Sequence, residues 1–240
     1  MRFFETKRFP FSHPSYWLFS LLAVALSANQ ADAGLILEWD FSDNRGITDR
    51  EPSAFSAAHL NGIDFYRGSG LTARAANGSF NSSGWGSQSS EDFIGFGIDI
   101  DPGYSLELDN LQIRTYSYFA GPGTVGLYYS GDNFTTPLYS IDQPILGFAD
   151  RDFELSGFGE LTGRVEFRLL EIGNESTIPS IPTQDVGRFG VANYRGGASV
   201  QFRGTVSSSI PEPSACLLLL GACLQLNRRR TRSLYRNQPA

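Results

Sequence analysis

Period-two alternation of apolar with small or polar residues recurs throughout residues 34–209 and constrains the fold more than any other feature. Ile94, Phe96, Ile98 and Ile100, for example, alternate with glycine and aspartate. Such alternation places apolar side chains on one face of a strand, and helical periodicity is scarce here. The pattern predicts strands over residues 35–41, 63–66, 94–100, 106–108, 111–118, 125–129, 138–141, 165–169, 189–192 and 200–206.

Turn-forming residues separate these strands. Clusters of glycine, Asn, Asp or proline, which allow a chain to reverse, occur at residues 61–62, 101–103, 109–110, 121–123 and 130–133. Residues 76–90 and 173–187 are low in apolar content and predict two long loops. Many short strands with one apolar face predict an all-β fold, specifically an antiparallel β-sandwich of jelly-roll type over residues 34–206, with a spacer over 207–209.

The charge of this middle region excludes one class of ligand. Residues 34–209 contain 11 arginines, no lysine and 22 acidic residues, a net charge of −11. Nucleic-acid binding requires clustered positive charge that displaces phosphate counterions. We therefore expect no nucleic-acid partner.

The first 33 residues predict a secretory signal peptide. Basic residues precede a ten-residue apolar stretch at 17–26, which we expect to be helical, and Ala31 and Ala33 stand at positions −3 and −1 before Gly34. This order is typical of an export signal cleaved after Ala33. The apolar stretch is shorter than the roughly 20 residues that span a bilayer. The predicted partners are the Sec translocon and signal peptidase.

The C-terminal part of the chain also contains a predicted targeting segment. Pro211, Glu212 and Pro213 precede an apolar segment at 215–226, predicted to be a short hydrophobic helix. The prolines prevent a helix across the motif itself and keep it extended. An arginine cluster follows and predicts that this end lies on the cytoplasmic side of a membrane. The cluster comprises Arg228, Arg229, Arg230 and Arg232.

This arrangement over residues 210–232, followed by a cytoplasmic end at 233–240, resembles the PEP-CTERM sorting signal. The resemblance implies a Gram-negative bacterium and recognition by an exosortase, a membrane protease-transpeptidase that removes the tail. It also implies transient anchoring in the inner membrane, then release to the outer envelope or the extracellular space, in association with exopolysaccharide. An unprocessed tail anchor remains the alternative. A weaker likeness to the β-sandwich ectodomains of other PEP-CTERM proteins covers about residues 90–205, through Gly121-Pro122-Gly123 and the loop before Phe134.

Enzymatic machinery is sparse in residues 34–209. Both cysteines, Cys216 and Cys223, lie in the tail, so the middle region has no disulfide, thiol nucleophile or thiolate metal site. His59 is its single histidine, and no Gly-x-Ser-x-Gly elbow accompanies it. We expect a surface histidine and no catalytic residues.

Paired carboxylates keep an alternative open, because a glycosidase needs two carboxylates facing each other. A glycoside hydrolase or lyase on the jelly-roll fold is therefore the second hypothesis. The candidate pairs are Glu38 with Asp40, Asp99 with Asp101, and Glu91 with Asp92. The same oxygens suit calcium, a hard cation, and the candidate ligands are Asp40, Asp43, Asp99 and Asp101.

Aromatic residues supply the last candidates, because amphipathic rings suit stacking against sugars. The predicted platform consists of Trp85, Tyr116, Tyr118, Tyr128 and Tyr129, whereas Trp39 is expected in the core. The leading hypothesis is a non-enzymatic envelope or matrix protein that contacts exopolysaccharide. A self-assembling surface-layer subunit is a third option.

Overall fold

The computed structural model describes residues 34–193 and 200–209, which form two antiparallel β-sheets. Fifteen strands occur within these residues, with three short 3-10 helices at Trp85–Ser87, Ser130–Asp132 and Ser156–Phe158. The strands are β1 (Gly34–Trp39), β2 (Arg50–Glu51), β3 (Phe55–Ser56), β4 (Leu60–Arg67), β5 (Thr72–Ala73), β6 (Ser79–Ser83), β7 (Phe93–Ile100), β8 (Tyr104–Tyr118), β9 (Thr124–Tyr129), β10 (Tyr139–Asp142), β11 (Ala149–Glu154), β12 (Glu160–Leu161), β13 (Arg164–Glu171), β14 (Arg188–Ala192) and β15 (Val200–Ser208).

The larger sheet is organised around β8. Its strand order is β3-β1-β15-β8-β14-β6-β5, and β11 and β12 also pair with β8. The smaller sheet has the order β10-β9-β13-β7-β4-β2. The prediction of an all-β sandwich of antiparallel strands is confirmed by these two sheets. The two predicted terminal helices lie outside the described residues.

An aromatic core fills the space between the sheets. Trp39 of β1 meets Phe65 of β4 edge-on, with ring centroids 5.2 Å apart, and Phe65 stacks on Phe96 of β7 at 4.5 Å. All three residues are fully buried, as the sequence predicted for Trp39. Such edge-to-face and offset pairs add stability beyond that of area burial. The inward residues of both sheets thus form one continuous core.

Two predicted turns are wrong, because the glycine and Asx residues there lie within strands. Residues 109–110 lie inside β8, where the pairing with β15 shifts between Arg203 and Gly204 and leaves Asp109 outside the ladder. A Cβ at Gly204 would lie 2.3 Å from the carbonyl oxygen of Glu107. Residues 61–62 lie inside β4, which has its own register shift between Ile63 and Tyr66. The signal at 109–110 thus coincides with a bulge, whereas Asn61 and Gly62 pair in register just before one.

The predicted loop over residues 76–90 is also wrong. It contains β6 and the 3-10 helix at Trp85–Ser87, and every residue of β6 is buried. β6 pairs with β14 through Ser79–Ala192 and Ser82–Phe189. Neighbouring side chains bond the hydroxyl groups of its three buried serines, so burial there does not require apolar residues, and alternation does not reveal the strand. β11 was missed for a similar reason, because polar residues dominate its sequence. The loop predicted over 173–187 contains no strand or helix.

The pairing of β15 with β8 sets the direction in which the chain leaves the sandwich. Ser208 pairs with Tyr104, the first residue of β8, and Ser209 donates a backbone hydrogen bond to Gly103. The last strand therefore continues two residues beyond the predicted domain end at 206. Tyr116 and Tyr118 lie at the opposite end of β8, roughly 40 to 50 Å from Tyr104 at about 3.4 Å per residue.

Candidate functional site

A groove of about 430 Å³ opens on the outer face of the larger sheet. β8 contributes Arg114 and Tyr116, and the segment before β11 contributes Phe148. Residues 76–79, at the start of β6, and Ala192 and Asn193, at the end of β14, form the other wall. Pairing of β11 and β14 on either side of β8 brings these segments together, because Ala149 and Val191 both pair with Thr115.

Two aromatic rings form the apolar part of the groove. The rings of Tyr116 and Phe148 meet edge-on, with centroids 5.6 Å apart and planes at 69°. The hydroxyl groups of Tyr116 and Ser79 share a hydrogen bond of 3.0 Å. Burial raises the pKa of Tyr116, so its hydroxyl stays neutral. Phe148 is 55% exposed, an unusual state for a phenylalanine, and its ring is accessible to a ligand.

Arg114 supports this aromatic pair. Its guanidinium carbon lies 4.8 Å from the centroid of Phe148. Its Nε and Nη2 donate hydrogen bonds of 2.6 and 3.0 Å to the two carboxylate oxygens of Asp150. A bidentate pair of this kind fixes the plane of the guanidinium. Arg114 therefore holds Phe148 in position, and Asp150 balances its charge.

A second, polar part of about 570 Å³ adjoins the first. Ser42, Asp43, Asn44 and Arg45 line it, and Asn77 lines both parts. Backbone hydrogen bonds from Ala76 to Arg45 and from Gly78 to Asn44, both of 2.8 Å, join the two walls. The loop after β1 and the segment before β6 therefore form one surface.

The polar side chains around the groove differ in whether they already have partners. The side chain of Asn193 already has two hydrogen-bond partners within the chain. It accepts from the backbone N–H of Phe41 at 2.8 Å and donates to Asp40 at 2.9 Å. The side chains of Asp43, Arg45 and Asn77 have no hydrogen bond or ion pair with any part of the chain that the structure describes. These three side chains are available to a ligand.

The predicted aromatic platform does not form. Trp85 is fully buried, meets Phe189 edge-on at 5.2 Å and donates from Nε1 to the carbonyl of Ser82 at 3.3 Å. Tyr128 and Tyr129 belong to β9 in the other sheet, where Tyr129 packs against Phe158 and Phe167. Only the β8 tyrosines share a face, since Tyr116 and Tyr118 are two residues apart on one strand.

The predicted convergence of calcium ligands is also not found. No group of three or more Asp, Glu, His or Cys residues is placed to hold a metal ion in residues 34–193 and 200–209. The backbone N–H of Ser42, 2.9 Å from Asp40, lowers the pKa of that carboxyl, which also accepts from Asn193. Asp40 therefore caps a turn, and Asp43 lines the groove.

The Asp99 and Asp101 carboxylates lie on the other sheet, each with its own partner. Arg164 lies 3.4 Å from Asp99. Asp101 accepts from Asn61 at 3.3 Å and lies 3.6 Å from Nδ1 of His59. The His59 ring is exposed, as predicted, and stacks on Tyr104 at 3.6 Å.

The remaining carboxylate pairs do not meet in the groove. Glu91 is exposed and accepts from Ser69, whereas Asp92 is buried and accepts from Ser87 and the backbone of Ser89, so the two side chains face apart. Glu38 lies on β1, where it pairs with Gln201. Asp43 is the one carboxylate among the described residues that line the two parts of the groove.

The predicted processing residues fall mostly outside the described residues. Ala31, Ala33, the Pro211–Pro213 motif and the arginine cluster are among those not described. Gly34, the predicted first residue after cleavage, begins β1 and pairs with Gly204. Within residues 34–193 and 200–209, no helix is long and apolar enough to cross a bilayer.

Sequence reasoning identified Tyr116 and Asp43 but missed Phe148, Arg45 and Asn77. The sequence signal for Phe148 was a short apolar run around Gly147 that comprises Ile145, Leu146 and Phe148. In the structure, the side chains of all three apolar residues are more than half exposed. No periodicity assigns this run to a buried face. The meeting of the three segments depends on long-range strand pairing and had no local signal.

Comparison of the chain with protein-family models, with curated proteins and with solved structures found no match.

Proposed function

We propose that this protein is an exported, non-enzymatic envelope or matrix protein that binds exopolysaccharide through the groove. The observation that carries the proposal is the edge-to-face pair of half-buried Tyr116 and exposed Phe148, beside polar side chains that have no partner among the described residues. Sugar rings have apolar faces that pack on aromatic side chains and hydroxyl groups that require hydrogen-bond partners. The groove offers both kinds of contact.

Export and sorting follow from the two ends of the chain. The Sec translocon exports the chain, signal peptidase removes residues 1–33, and an exosortase recognises Pro211, Glu212 and Pro213. The hydrophobic segment and arginine cluster hold the chain at the inner membrane until this step. The product then moves to the outer envelope or the extracellular space. We further propose the jelly-roll type for the sandwich, because the first and last long strands, β1 and β15, are neighbours.

The position of the groove relative to the tail supports this function. β15 ends beside Tyr104, whereas the groove contains Arg114 and Tyr116 near the other end of the same strand. The groove is thus separated from the start of the tail by most of the length of β8.

Binding is favoured over the alternative of a carbohydrate-active enzyme. A hydrolase or lyase of the usual kind needs two carboxylates at a fixed separation across one cleft. Asp43 has no second carboxylate beside it among the described residues that line the groove, and Asp150 is held by Arg114.

Retention on the producing bacterium's own exopolysaccharide tests the binding part of this proposal. The tagged full chain should be retained, and Phe148→Ala should weaken retention about tenfold, which corresponds to about 1.4 kcal/mol. Tyr128→Ala removes an aromatic ring from the other sheet and is the matched control. Equal retention of both variants, or no retention of the parent chain, would contradict the proposal.

Deletion of Pro211–Pro213 tests the sorting part. The deleted chain should accumulate at the inner membrane at its unprocessed mass, whereas the parent should lose mass at the C-terminus. A second deletion of equal length within 233–240 controls for chain length. If all three chains have the same mass change and location, the tail is not a sorting signal.

A further inference from the structure

We infer that the groove is a two-part site for an uncharged oligosaccharide. One sugar ring packs on Tyr116 and Phe148, and its neighbour hydrogen-bonds to Asp43, Arg45 and Asn77. This inference rests on the proposed function and adds the class, minimum length and orientation of the ligand.

Continuity of the two parts is the first argument. Asn77 lines both, and the bonds from residues 76 and 78 to residues 45 and 44 leave no gap in the wall between them. A backbone bridge between Arg45 and Ser79 adds a further connection. Each part, at about 430 and 570 Å³, lies within the ~300–1,000 Å³ range of small-molecule pockets. Two adjoining volumes of this size accommodate more than one sugar.

The contrast in chemistry between the two parts is the second argument. Aromatic rings dominate the first part, where Ser79 and Asn193 already have partners. In the second part, the Asp43, Arg45 and Asn77 side chains offer both donors and acceptors. One sugar is therefore held by packing of its apolar face and the next by its hydroxyl groups.

Charge balance is the third argument and determines the class of glycan. Asp150 neutralises Arg114 in the first part, and Asp43 accompanies Arg45 in the second. Among the described residues, the charges at each part therefore cancel, while residues 34–209 as a whole carry −11. A uronate or sulfated chain would meet this negative field without an unpaired cation cluster to offset it. Neutral sugars avoid that cost.

The test uses the tagged full chain in a sugar-free polyoxyethylene detergent, so that no detergent headgroup competes. Oligosaccharides from partial hydrolysis of the bacterium's exopolysaccharide are separated by charge and by length. Affinity for the neutral fraction should rise about tenfold or more from one unit to two or three and then level off. Acidic fragments of equal length should bind at least about tenfold more weakly.

Variants separate the two parts. Phe148→Ala should lower affinity for every length, because all ligands use the aromatic pair. Arg45→Ala should lower affinity only for two units or more, leaving the single sugar unchanged, because Arg45 lines the second part alone. Arg203→Ala, on the same sheet at the β8–β15 pair, is the matched control for Arg45.

The outcomes distinguish this inference from the proposed function. Affinity independent of length, an Arg45 variant that behaves like the Arg203 control, or preferential binding of acidic fragments would overturn the two-part neutral site while binding itself stands. Failure of both the neutral and the acidic fractions to bind would overturn the proposed function and the inference together.

Discussion

The guanidinium of Arg67 lies face-on to Phe80, 3.7 Å from the ring centroid. Its nitrogens donate to the backbone carbonyls of Gly46 at 3.1 Å and Asn81 at 2.8 Å, and to the hydroxyl of Ser82 at 2.8 Å. Burial lowers the pKa of Arg67 to about 10, so the side chain remains cationic at neutral pH. Arg67 thus connects β4, β6 and the loop that leads from β1 into the groove.

Substitution of Arg67 should destabilise the fold. Arg67→Lys keeps the charge but cannot satisfy acceptors spread around a planar fork, and we expect a loss of about 2–4 kcal/mol in the free energy of unfolding. The midpoint of urea denaturation measures the loss. Arg74→Lys is the matched control, because exposed Arg74 makes one side-chain bond, to Ser83. Equal midpoints for the two variants would show that Arg67 does not hold these segments together.

The partly buried carboxyl of Glu171 should make the free energy of unfolding depend on pH. Burial raises its pKa to about 7, although the hydroxyl of Thr183 donates to its carboxylate. Because the folded pKa exceeds the unfolded value near 4.5, ionisation costs more in the folded state. The free energy of unfolding should therefore fall as pH rises from about 4.5 through 7 and then level off.

Glu171→Gln should remove most of this pH dependence, because the amide keeps an acceptor for Thr183 but does not ionise. Thermal melts at intervals between about pH 4.5 and 8 measure the effect. Glu160→Gln, at an exposed position, is the control and should leave the dependence intact. The interpretation fails if the Glu171 variant follows the parent curve.

Trp85 and Phe148 should separate stability from binding. Trp85→Ala removes a fully buried ring and should cost about 3–5 kcal/mol, and Trp85→Phe should cost less. Phe148→Ala removes a half-exposed ring and should cost under about 1 kcal/mol. Substitution of Trp85 should lower the denaturation midpoint more than substitution of Phe148 does. Exopolysaccharide retention should instead fall in Phe148→Ala and stay intact in folded Trp85→Phe. Loss of retention in that variant would restore a binding role for Trp85.

Gly97 should not tolerate a side chain. A Cβ there would lie 2.2 Å from the carbonyl oxygen of Val165 on the paired strand, an atom that cannot move without breaking the β7–β13 ladder. We expect Gly97→Ala to cost about 2–3 kcal/mol. At Gly157 no heavy atom lies within 4 Å of the same position, so Gly157→Ala should change stability by less than about 0.5 kcal/mol. Similar unfolding midpoints for the two variants would contradict this packing argument.

Alternation carried most of the correct strand predictions. The strong patterns at 94–100 and 164–169 became β7 and β13, paired through Phe96 and Phe167. Alternation failed where burial did not require apolar residues. β6 is buried yet polar, because Arg67 and Arg74 satisfy Ser82 and Ser83. The alternation of neighbouring residues along the chain contains no information about such distant partners.

The sequence by itself determined the all-β character, the absence of cysteine chemistry from residues 34–209, the net negative charge and the burial of Trp39. These properties depend on residue type and near-neighbour spacing alone. Tertiary structure decided that Trp85 belongs to the core and that Asp109 belongs to a strand. It also decided that Tyr116, Phe148 and Asn77 share one groove. The reason is physical: antiparallel pairing brings together segments far apart in the chain, and the register that does so is set by packing of the whole core.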